Sequence, residues 1–381
     1  MTDGNVRVEY AGYIFAPTGY GTAARAYVHA LHCADVDLTV TNRSTREFRM
    51  VVDPLVTSLL DRPLQAQLLI CNSEPLDALA FNPILRRLIM QTAWEADSLP
   101  EKSVQALEGV LEVWVPSSYN AEAFRRQVEA PVFQLPHPVY TRQVEPEMVV
   151  RLNRGLHLKE SDFLFVNVAT WQERKNLPGV IEAFLRAFPD EPDALLAIKT
   201  RFEFVSQRDA LAQIDEAMKR ARARHGEAVR SRIRICDGVW DEQALTALMQ
   251  RADCYVSLHR GEGWCYPLFD TACRGIPVVS TGYSGPMDYL DARYHSLVKY
   301  ELVAPDAARA PRWNPFTANM RWAAPSVDDA ALQMRAIYDH RAGALEKARA
   351  GAAVLQQRFS PLAVGQMARQ RLTELAAKLD D

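Results

Sequence analysis

The sequence predicts an α/β protein built from two doubly wound domains, each a largely parallel sheet covered by helices. Its 381 residues are too many for one ordinary hydrophobic core, so two domains of about 150–200 residues are expected. Short apolar runs alternate with longer helical patterns, as is typical of parallel sheets. This alternation begins a second time near residue 163, which predicts a separate series of strands and helices for each domain.

The first series contains six apolar runs of strand length. We predict strands at residues 6–15, 38–42, 67–71, 88–91, 110–115 and 131–135. The intervening segments have helical patterns, and we predict helices at 22–33, 54–60, 101–107 and 121–127.

The second series repeats the alternation and ends in helical patterns. We predict strands at residues 163–169, 194–199, 233–236, 254–258 and 277–280. The predicted helices are 177–188, 206–223, 242–251, 268–274, 328–349 and 361–379.

The domains are expected to join within residues 136–158. We therefore predict an N-terminal domain over 1–150, a C-terminal domain over 151–355 and a final helical segment over 356–381. Doubly wound domains bind ligands outside the carboxyl ends of their strands, so we expect the two domains to face each other across a cleft that holds the site.

The composition is that of a soluble globular protein, with 48% hydrophobic and 24% charged residues. A net charge of −3 gives no reason to expect a nucleic-acid partner. The six cysteines form no CxxC pair, which favours free thiols in a reducing cytosol. We see neither a signal peptide nor an apolar run of membrane-spanning length, so we expect a cytoplasmic protein. Peripheral contact at the inner face of the membrane and the oligomeric state stay open.

A glycine-bearing loop follows the first predicted strand and opens a helix. Gly19 and Gly21 would let backbone N–H groups approach a ligand, and a helix N-terminus favours negative charge. The loop is neither GxGxxG nor a Walker sequence, so an ordinary strand-to-helix turn is the alternative.

Two cations stand at the end of the very apolar strand predicted at 163–169. Arg174 can offer a planar fork and Lys175 a point charge to a diphosphate. Asn176 can cap the helix that follows. Lys199 and Arg201 end the next strand and could add charge there, although solvated surface cations are the alternative for both pairs.

The strongest motif places two carboxylates eight positions apart after another strand. Glu262 lies inside the tight turn Gly261-Glu262-Gly263, where a packed core needs no acid. Asp270 follows near the start of the next predicted helix, where it could instead simply favour the helix N-terminus. Carboxylates in this arrangement can accept hydrogen bonds from sugar hydroxyls. We expect no zinc site, because nothing nearby supplies a usual ligand pattern.

Three less specific features complete the candidates. His137 lies between two prolines and is either a site residue or part of a stiff linker. Trp94 and Glu95 follow a strand and could hold a sugar, although Trp94 could equally be core. The Gly/Pro turn at residues 283–288 follows a strand and also fits the site.

Together these segments resemble retaining glycosyltransferases of the GT-B fold, specifically the large nucleotide-sugar-dependent family 4. Members have an E-x7-E signature in a stretch like EGFGLPxLEAMAxGxPVV, which residues 262–279 follow with Glu262 and Asp270 at the acid positions. The resemblance extends to residues 237–253, 171–188, 114–124 and the glycine-bearing N-terminal loop, so it spans most of the chain.

The resemblance implies two Rossmann-like domains, with the acceptor on the first, the nucleotide sugar on the second and the last helix packing back on the first. Glu262 would contact the donor sugar and Asp270 the ribose, while Lys175 and Arg174 would stabilise the leaving diphosphate. Further donor contacts would come from Gly19, Gly21, Thr170, Lys199, Gly263, Trp264, Cys265 and Tyr266. Contacts on the acceptor side would come from Tyr20, Trp94, Glu95 and His137.

The sequence departs from the family pattern at three places. The second acid, Asp270, is one methylene shorter than the usual Glu. The usual Gly-Phe-Gly-Leu has become Gly263-Trp-Cys-Tyr266, so donor preference does not carry over. Thr170-Trp171 replaces the usual Gly-Arg, which leaves open which cation takes that arginine's part.

The implied activity is transfer of a hexose from a UDP- or GDP-linked sugar to a hydroxyl of a saccharide, a lipid-linked molecule or a small molecule. The resemblance implies a retaining, metal-independent reaction without a further cofactor, with a place in polysaccharide biosynthesis. Two alternatives stay open: a nucleotide-sugar epimerase or hydrolase of the same architecture, and a non-catalytic sugar-nucleotide-binding protein.

Overall fold

A computed structural model of the chain describes residues 6–44, 50–140, 143–203, 206–225, 232–305 and 315–380. The chain forms two compact units. Unit 1 comprises Met1–Tyr140, Gly263–Tyr266 and Leu355–Asp381, and unit 2 comprises Thr141–Glu262 and Pro267–Val354.

Unit 1 is built on a six-stranded parallel sheet. Its strands are β1 (Arg7–Gly12), β2 (Asp37–Asn42), β3 (Leu68–Asn72), β4 (Leu88–Gln91), β5 (Glu112–Val115) and β6 (Val132–Gln134). They are arranged in the order β2-β1-β3-β4-β5-β6. The order reverses between β1 and β3, so their carboxyl ends flank the switch point at which such sheets bind ligands.

Four helices alternate with these strands, and one from the C-terminus joins them. They are α1 (Gly19–Cys33), α2 (Pro54–Ser58), α3 (Glu101–Ala106), α4 (Ser118–Arg125) and α12 (Pro361–Asp380). Helix α12 packs closely on α1, because a Cβ at Gly365 would lie 1.9 Å from the carbonyl oxygen of Ala30. A 3₁₀ segment, Pro75–Arg87, connects β3 to β4.

Unit 2 contains a second six-stranded parallel sheet. Its strands are β7 (Phe163–Val168), β8 (Ala194–Lys199), β9 (Arg232–Cys236), β10 (Cys254–Ser257), β11 (Val278–Thr281) and β12 (Ser296–Val298). The order β12-β11-β10-β7-β8-β9 is the 3-2-1-4-5-6 arrangement of dinucleotide-binding sheets, read from the opposite edge. Its switch point therefore lies between β7 and β10.

Helices cover this sheet, and a small hairpin forms a separate two-stranded sheet. The helices are α5 (Pro146–Gly155), α6 (Leu177–Ala187), α7 (Gln207–His225), α8 (Glu242–Arg251), α9 (Tyr266–Cys273), α10 (Val327–Asp339) and α11 (Arg341–Arg358). The hairpin pairs β13 (Tyr300–Val303) with β14 (Trp322–Pro325) in antiparallel register. The two parallel sheets with their helices confirm the predicted α/β class.

The structure differs from the predicted elements at several points. The strand predicted at 6–15 ends at Gly12, and the helix after it begins at Gly19 rather than 22. The helix predicted at 328–349 is two helices, because His340 leaves helical geometry with φ −120° and ψ 39°. Helix α5 and the hairpin were not predicted. The hairpin's first strand is largely exposed, so it lacks the apolar run from which the other strands were predicted.

Candidate functional site

The predicted cations and the first predicted acid lie at the switch point of the unit 2 sheet. Arg174 and Lys175 follow β7, and Glu262 follows β10, which is the strand beside β7. The carboxyl ends of adjacent parallel strands meet at one edge of a sheet. Residues 87 positions apart in the sequence are thereby brought into contact.

The Glu262 carboxylate binds both cations. Lys175 Nζ donates a hydrogen bond to Glu262 Oε1, and Arg174 Nη1 lies 3.2 Å from Oε2. The Glu262 side chain is 5% exposed, whereas those of Arg174 and Lys175 are 14% and 17% exposed. The acid is therefore enclosed while both cations reach the surface of unit 2. The three charges sum to +1, which leaves a net attraction for an anion.

Electrostatics hold Glu262 in its charged form. Burial alone would raise its pKa, but the charges of Lys175 and Arg174 outweigh burial and lower the pKa of Glu262 to about 2. The acid is thus ionised at every physiological pH. It is a hydrogen-bond acceptor and cannot act as a general acid.

The backbone around the cations forms a tight turn, and the helix after it has no side-chain cap. Glu173–Lys175 form a 3₁₀ turn, and Asn176 adopts a left-handed conformation with φ 50° before α6 begins. The prediction that Asn176 caps the helix is wrong, because its side chain makes no capping hydrogen bond. The turn is held instead from the loop after β10, since Arg260 N–H donates to the Arg174 carbonyl at 2.7 Å.

His259 lies beneath the acid and is structural. Its ring is fully buried between Ser257 Oγ at 3.1 Å from Nδ1 and the Tyr283 carbonyl at 3.1 Å from Nε2. A carbonyl only accepts, so Nε2 carries the proton and Nδ1 accepts from the serine hydroxyl. Burial lowers the pKa of His259, which keeps the ring neutral.

Asp270 lies within α9, four residues after its first residue, whereas the sequence predicted a position near the helix start. Its Oδ2 accepts a hydrogen bond from Arg274 Nε at 3.1 Å. Its Oδ1 is buried and makes no hydrogen bond within the described part of the chain. Burial raises the pKa of Asp270, although Arg274 opposes the shift. One carboxylate oxygen of Asp270 is therefore left without a hydrogen-bond donor in the described part of the chain.

Lys199 does not join the cations as expected. It is buried, and its Nζ donates to the carbonyls of Thr200 at 3.0 Å and Gly238 at 2.6 Å. Burial, helped by the charge of Arg201, lowers the pKa of Lys199 to about 8. Its ammonium group therefore binds a carbonyl of the loop after β9. Thr170 is half-buried two positions beyond the end of β7.

The glycine-bearing loop of unit 1 also differs from expectation. Gly21 lies in the first turn of α1, and its N–H donates to the capping Thr18 Oγ1 at 3.2 Å. A Cβ at Gly21 would lie 2.1 Å from the Ala16 carbonyl oxygen, so close packing explains this glycine. A Cβ at Gly19 would meet no described heavy atom within 4 Å.

The predicted acceptor-side residues of unit 1 are divided between surface and core. Tyr20 donates weakly towards the Ala93 carbonyl at 3.5 Å, and its hydroxyl lies 3.3 Å from Thr92 Oγ1. Burial, followed by the charge of Glu95, raises the pKa of Tyr20. Trp94 is buried and donates its indole N–H to the Ser98 carbonyl at 2.6 Å, as the core alternative expects.

The segment Gly263–Tyr266 packs into unit 1. His137 lies at its centre, with ring centroids 5.5 Å from Trp264 and 4.6 Å from Tyr266. Burial lowers the pKa of His137 to about 3, so it is a neutral packing partner. Cys265 has φ 71°, a left-handed conformation that side chains rarely adopt. The bulky Trp264 and Tyr266 are therefore accommodated by aromatic packing against His137.

The structure thus brings Arg174, Lys175 and Glu262 together. Gly21, Trp94 and His137 are closely packed within unit 1, as the turn alternative for Gly21 and the core alternative for Trp94 expect, and Lys199 binds backbone carbonyls. A further polar contact to the site was missed: Ser284 Oγ accepts from the Glu262 N–H at 3.0 Å. A serine before the glycine of the 283–288 turn was the available signal. Within the described ranges, no group of three or more His, Cys, Asp or Glu residues is placed to hold a metal ion.

Comparison with known proteins supports the fold. No protein-family model matches the sequence, and no curated protein matches it either. Among solved structures, it is similar to a sucrose-phosphate synthase from Thermosynechococcus elongatus, with a TM-score of 0.66 and 14% identity over 98% of this chain and 100% of that one. WaaG, a glycosyltransferase involved in lipopolysaccharide biosynthesis, gives a TM-score of 0.62 and 13% identity over 96% and 99%.

A third similar structure is a S. aureus TarM mutant in complex with fondaparinux, alpha-GlcNAc-glycerol and UDP. Its TM-score is 0.56 at 12% identity, and the match covers 81% of this chain but 55% of TarM, so the chain spans about half of that protein. The two parallel sheets are thus an architecture shared with known glycosyltransferases, and the GT-B fold expected from the resemblance is confirmed.

Proposed function

We propose that this protein is a glycosyltransferase that takes its sugar from a nucleoside-diphosphate sugar, retains the configuration of the transferred carbon and needs no metal ion. The observation that carries the proposal is the contact of Glu262 with Arg174 and Lys175 at the switch point of the unit 2 sheet. An ionised acid held by two partly exposed cations matches a ligand that combines hydroxyls with a diphosphate.

The cations would bind the diphosphate and stabilise it as it leaves. Charge develops on the leaving oxygens when the bond to the sugar breaks, and Arg174 and Lys175 are already positioned to receive it. Removing one such preorganised donor typically costs about 3–4 kcal/mol of barrier. TarM was solved with UDP. For this chain we propose UDP or GDP as the nucleoside diphosphate that leaves.

The two acids would bind hydroxyl groups on either side of the diphosphate. Glu262 would keep its contact with the cations and accept from hydroxyls of the donor sugar, because its low pKa keeps it charged. Asp270 Oδ1, buried and without a hydrogen bond in the described chain, would accept from the ribose. Backbone groups of Gly263 and Trp264, which follow the acid, would lie beside the donor.

The acceptor is proposed to be a hydroxyl of a saccharide, a lipid-linked molecule or a small molecule, bound by unit 1. Tyr20 and Glu95 support this, because both are partly exposed at the carboxyl edge of its sheet. No helix in the described ranges combines the length and the apolar character needed to cross a bilayer. A cytoplasmic location with peripheral membrane contact stays a prediction.

A thermal-shift panel tests the donor assignment. UDP, GDP, ADP, TDP and their hexose conjugates are each added with and without EDTA. Ligand at a hundred times its Kd adds about 2.7 kcal/mol of stability, so one nucleotide series should raise Tm clearly, and equally with EDTA. No shift with any nucleotide, or a shift that EDTA removes, would contradict the proposal.

A turnover assay then separates transfer from other reactions of the donor. The stabilising nucleotide sugar is incubated alone and with a mixed panel of hydroxyl acceptors. Release of nucleoside diphosphate that depends on acceptor supports a transferase, and the anomeric configuration of the product, read by NMR, tests retention. Rapid release without acceptor would instead indicate a hydrolase.

A further inference from the structure

Ser284 has a backbone conformation that serine very rarely adopts. Its φ of 65° and ψ of −155° lie in a region that is essentially restricted to glycine. The residue after it is Gly285, which has no positive φ, so the chain places serine where glycine is expected and glycine beside it. Such strain persists only where the surroundings enforce it, and it is concentrated at functional sites.

In this conformation the Ser284 hydroxyl makes two hydrogen bonds. It accepts a hydrogen bond from the Glu262 N–H at 3.0 Å and donates one to the Tyr283 carbonyl at 2.7 Å. The next residue completes the contact, because Gly285 N–H donates to the Glu262 carbonyl at 2.9 Å. Both polar groups of the Glu262 backbone are thus bound by two consecutive residues.

The same turn also holds the residues before Glu262. Thr281 Oγ1 donates to the His259 carbonyl at 2.8 Å, and His259 Nε2 donates to the Tyr283 carbonyl. We call residues 281–285 the clamp turn. Ser284 is buried within it, so it contacts Glu262 without reaching the surface itself.

We infer that Ser284 is a positioning residue, whose hydroxyl fixes the Glu262 backbone so that the carboxylate stays on Arg174 and Lys175. The inference rests on the proposed function for its effect on catalysis, but its geometry does not depend on that function. Glycine would satisfy the backbone conformation without strain and would leave the Glu262 N–H without its acceptor. Compared with glycine, serine at this position therefore lowers local stability but orients the Glu262 carboxylate.

Three substitutions separate positioning from stability. Ser284→Gly removes both the hydroxyl and the strain, Ser284→Ala removes only the hydroxyl, and Ser284→Thr keeps the hydroxyl in a strained backbone. We expect Ser284→Gly and Ser284→Ala to lower kcat by the same factor, up to roughly a hundredfold, because a misplacement of about 1 Å in a site can cost that much. Their Tm values should differ by about 2–6 °C, with glycine the more stable. Ser284→Thr should recover most of the kcat lost in Ser284→Ala despite a Tm below that of the unmodified protein.

A structural role alone would make kcat follow Tm, with Ser284→Gly the most active of the three. That result would overturn the inference. In a Glu262→Ala background, Ser284→Ala should lower kcat no further, because serine acts through the glutamate. An equal fold-loss in both backgrounds would also overturn it.

Hydrogen exchange tests the positioning without any turnover. The amide of Glu262 should exchange faster in Ser284→Gly and Ser284→Ala than in the unmodified protein, and should regain protection in Ser284→Thr. Unchanged exchange would overturn the inference even if transfer is observed. Faster exchange in a protein with no transferase activity would keep the inference and reject the proposed function.

Discussion

Lys175 and Glu262 lie 87 positions apart, yet the lysine ammonium donates a hydrogen bond directly to the glutamate carboxylate. The contact exists because β7 and β10 are neighbours in the unit 2 sheet and both end at the same edge. Arg174 shares the carboxylate with Lys175. Within the described chain, this pair is the centre of the candidate site.

Replacing Lys175 with alanine should impair binding and turnover together. The variant loses one of two cations proposed to stabilise the leaving diphosphate, so we expect kcat to fall roughly a hundred- to a thousandfold. The Kd for the nucleoside diphosphate should rise, as measured by calorimetry. Lys102, an exposed lysine at the start of α3 in unit 1, provides the matched control. An unchanged diphosphate Kd in Lys175→Ala would remove this residue from the site.

Replacing Glu262 with glutamine should destabilise the protein in a pH-dependent manner. The folded pKa of about 2 lies below the ordinary value of 4.5, so the charged acid contributes stability above pH 4.5. This contribution, up to about 3 kcal/mol, is lost as pH falls from 4.5 towards 2. Urea unfolding at several pH values should therefore show a gap between the two proteins at pH 7 that narrows with acid. A gap independent of pH would contradict the ion-pair assignment.

Much of the fold and part of the site could be predicted because the relevant signals are local. Apolar runs bounded by turns predict strands, and cations or acids directly after them must lie at the carboxyl edge. This reasoning placed Lys175 and Glu262 correctly after β7 and β10. It could not predict their mutual contact, because strand order is decided by packing of the whole sheet rather than by either segment.

Other features could not be predicted, because they depend on contacts that exist only in the folded chain. Lys199 looks like another surface cation, but its carbonyl partner Gly238 comes from the loop after β9. Gly21 resembles a ligand-binding glycine, but the nearby Ala16 carbonyl leaves no space for a side chain. The left-handed backbone at Ser284 has no local cause, since its acceptor role concerns Glu262, 22 positions earlier.

Asp270 should make nucleotide binding sensitive to acid. Burial raises its pKa above the ordinary 3.8, whereas the pKa of Glu262 is about 2, so acidification protonates Asp270 first. A protonated acid loses acceptor capacity at one oxygen, and affinity for the nucleoside diphosphate should fall while Glu262 is still charged. Calorimetry across pH should show this loss, after subtraction of the phosphate's own titration with a ribose-free diphosphate. In Asp270→Asn, the affinities for the nucleoside diphosphate and for the ribose-free diphosphate should depend on pH in the same way. A difference in pH dependence that persists in this variant would reject the ribose contact.

Gly263 should tolerate no side chain, although its backbone conformation would permit one. A Cβ there would lie 2.7 Å from Ala93 Cβ and 2.9 Å from Asn120 Oδ1, in a segment of unit 1 packed around His137. Gly263→Ala must displace these neighbours, so we expect a loss of about 1–3 kcal/mol in the free energy of unfolding. Gly19→Ala is the matched control, because its Cβ meets no described atom within 4 Å. Denaturant unfolding measures both, and equal stability of the two variants would show that Gly263 is not closely packed. The residue directly follows Glu262, so the same displacement should also lower transferase turnover, whereas Gly19→Ala should affect stability little.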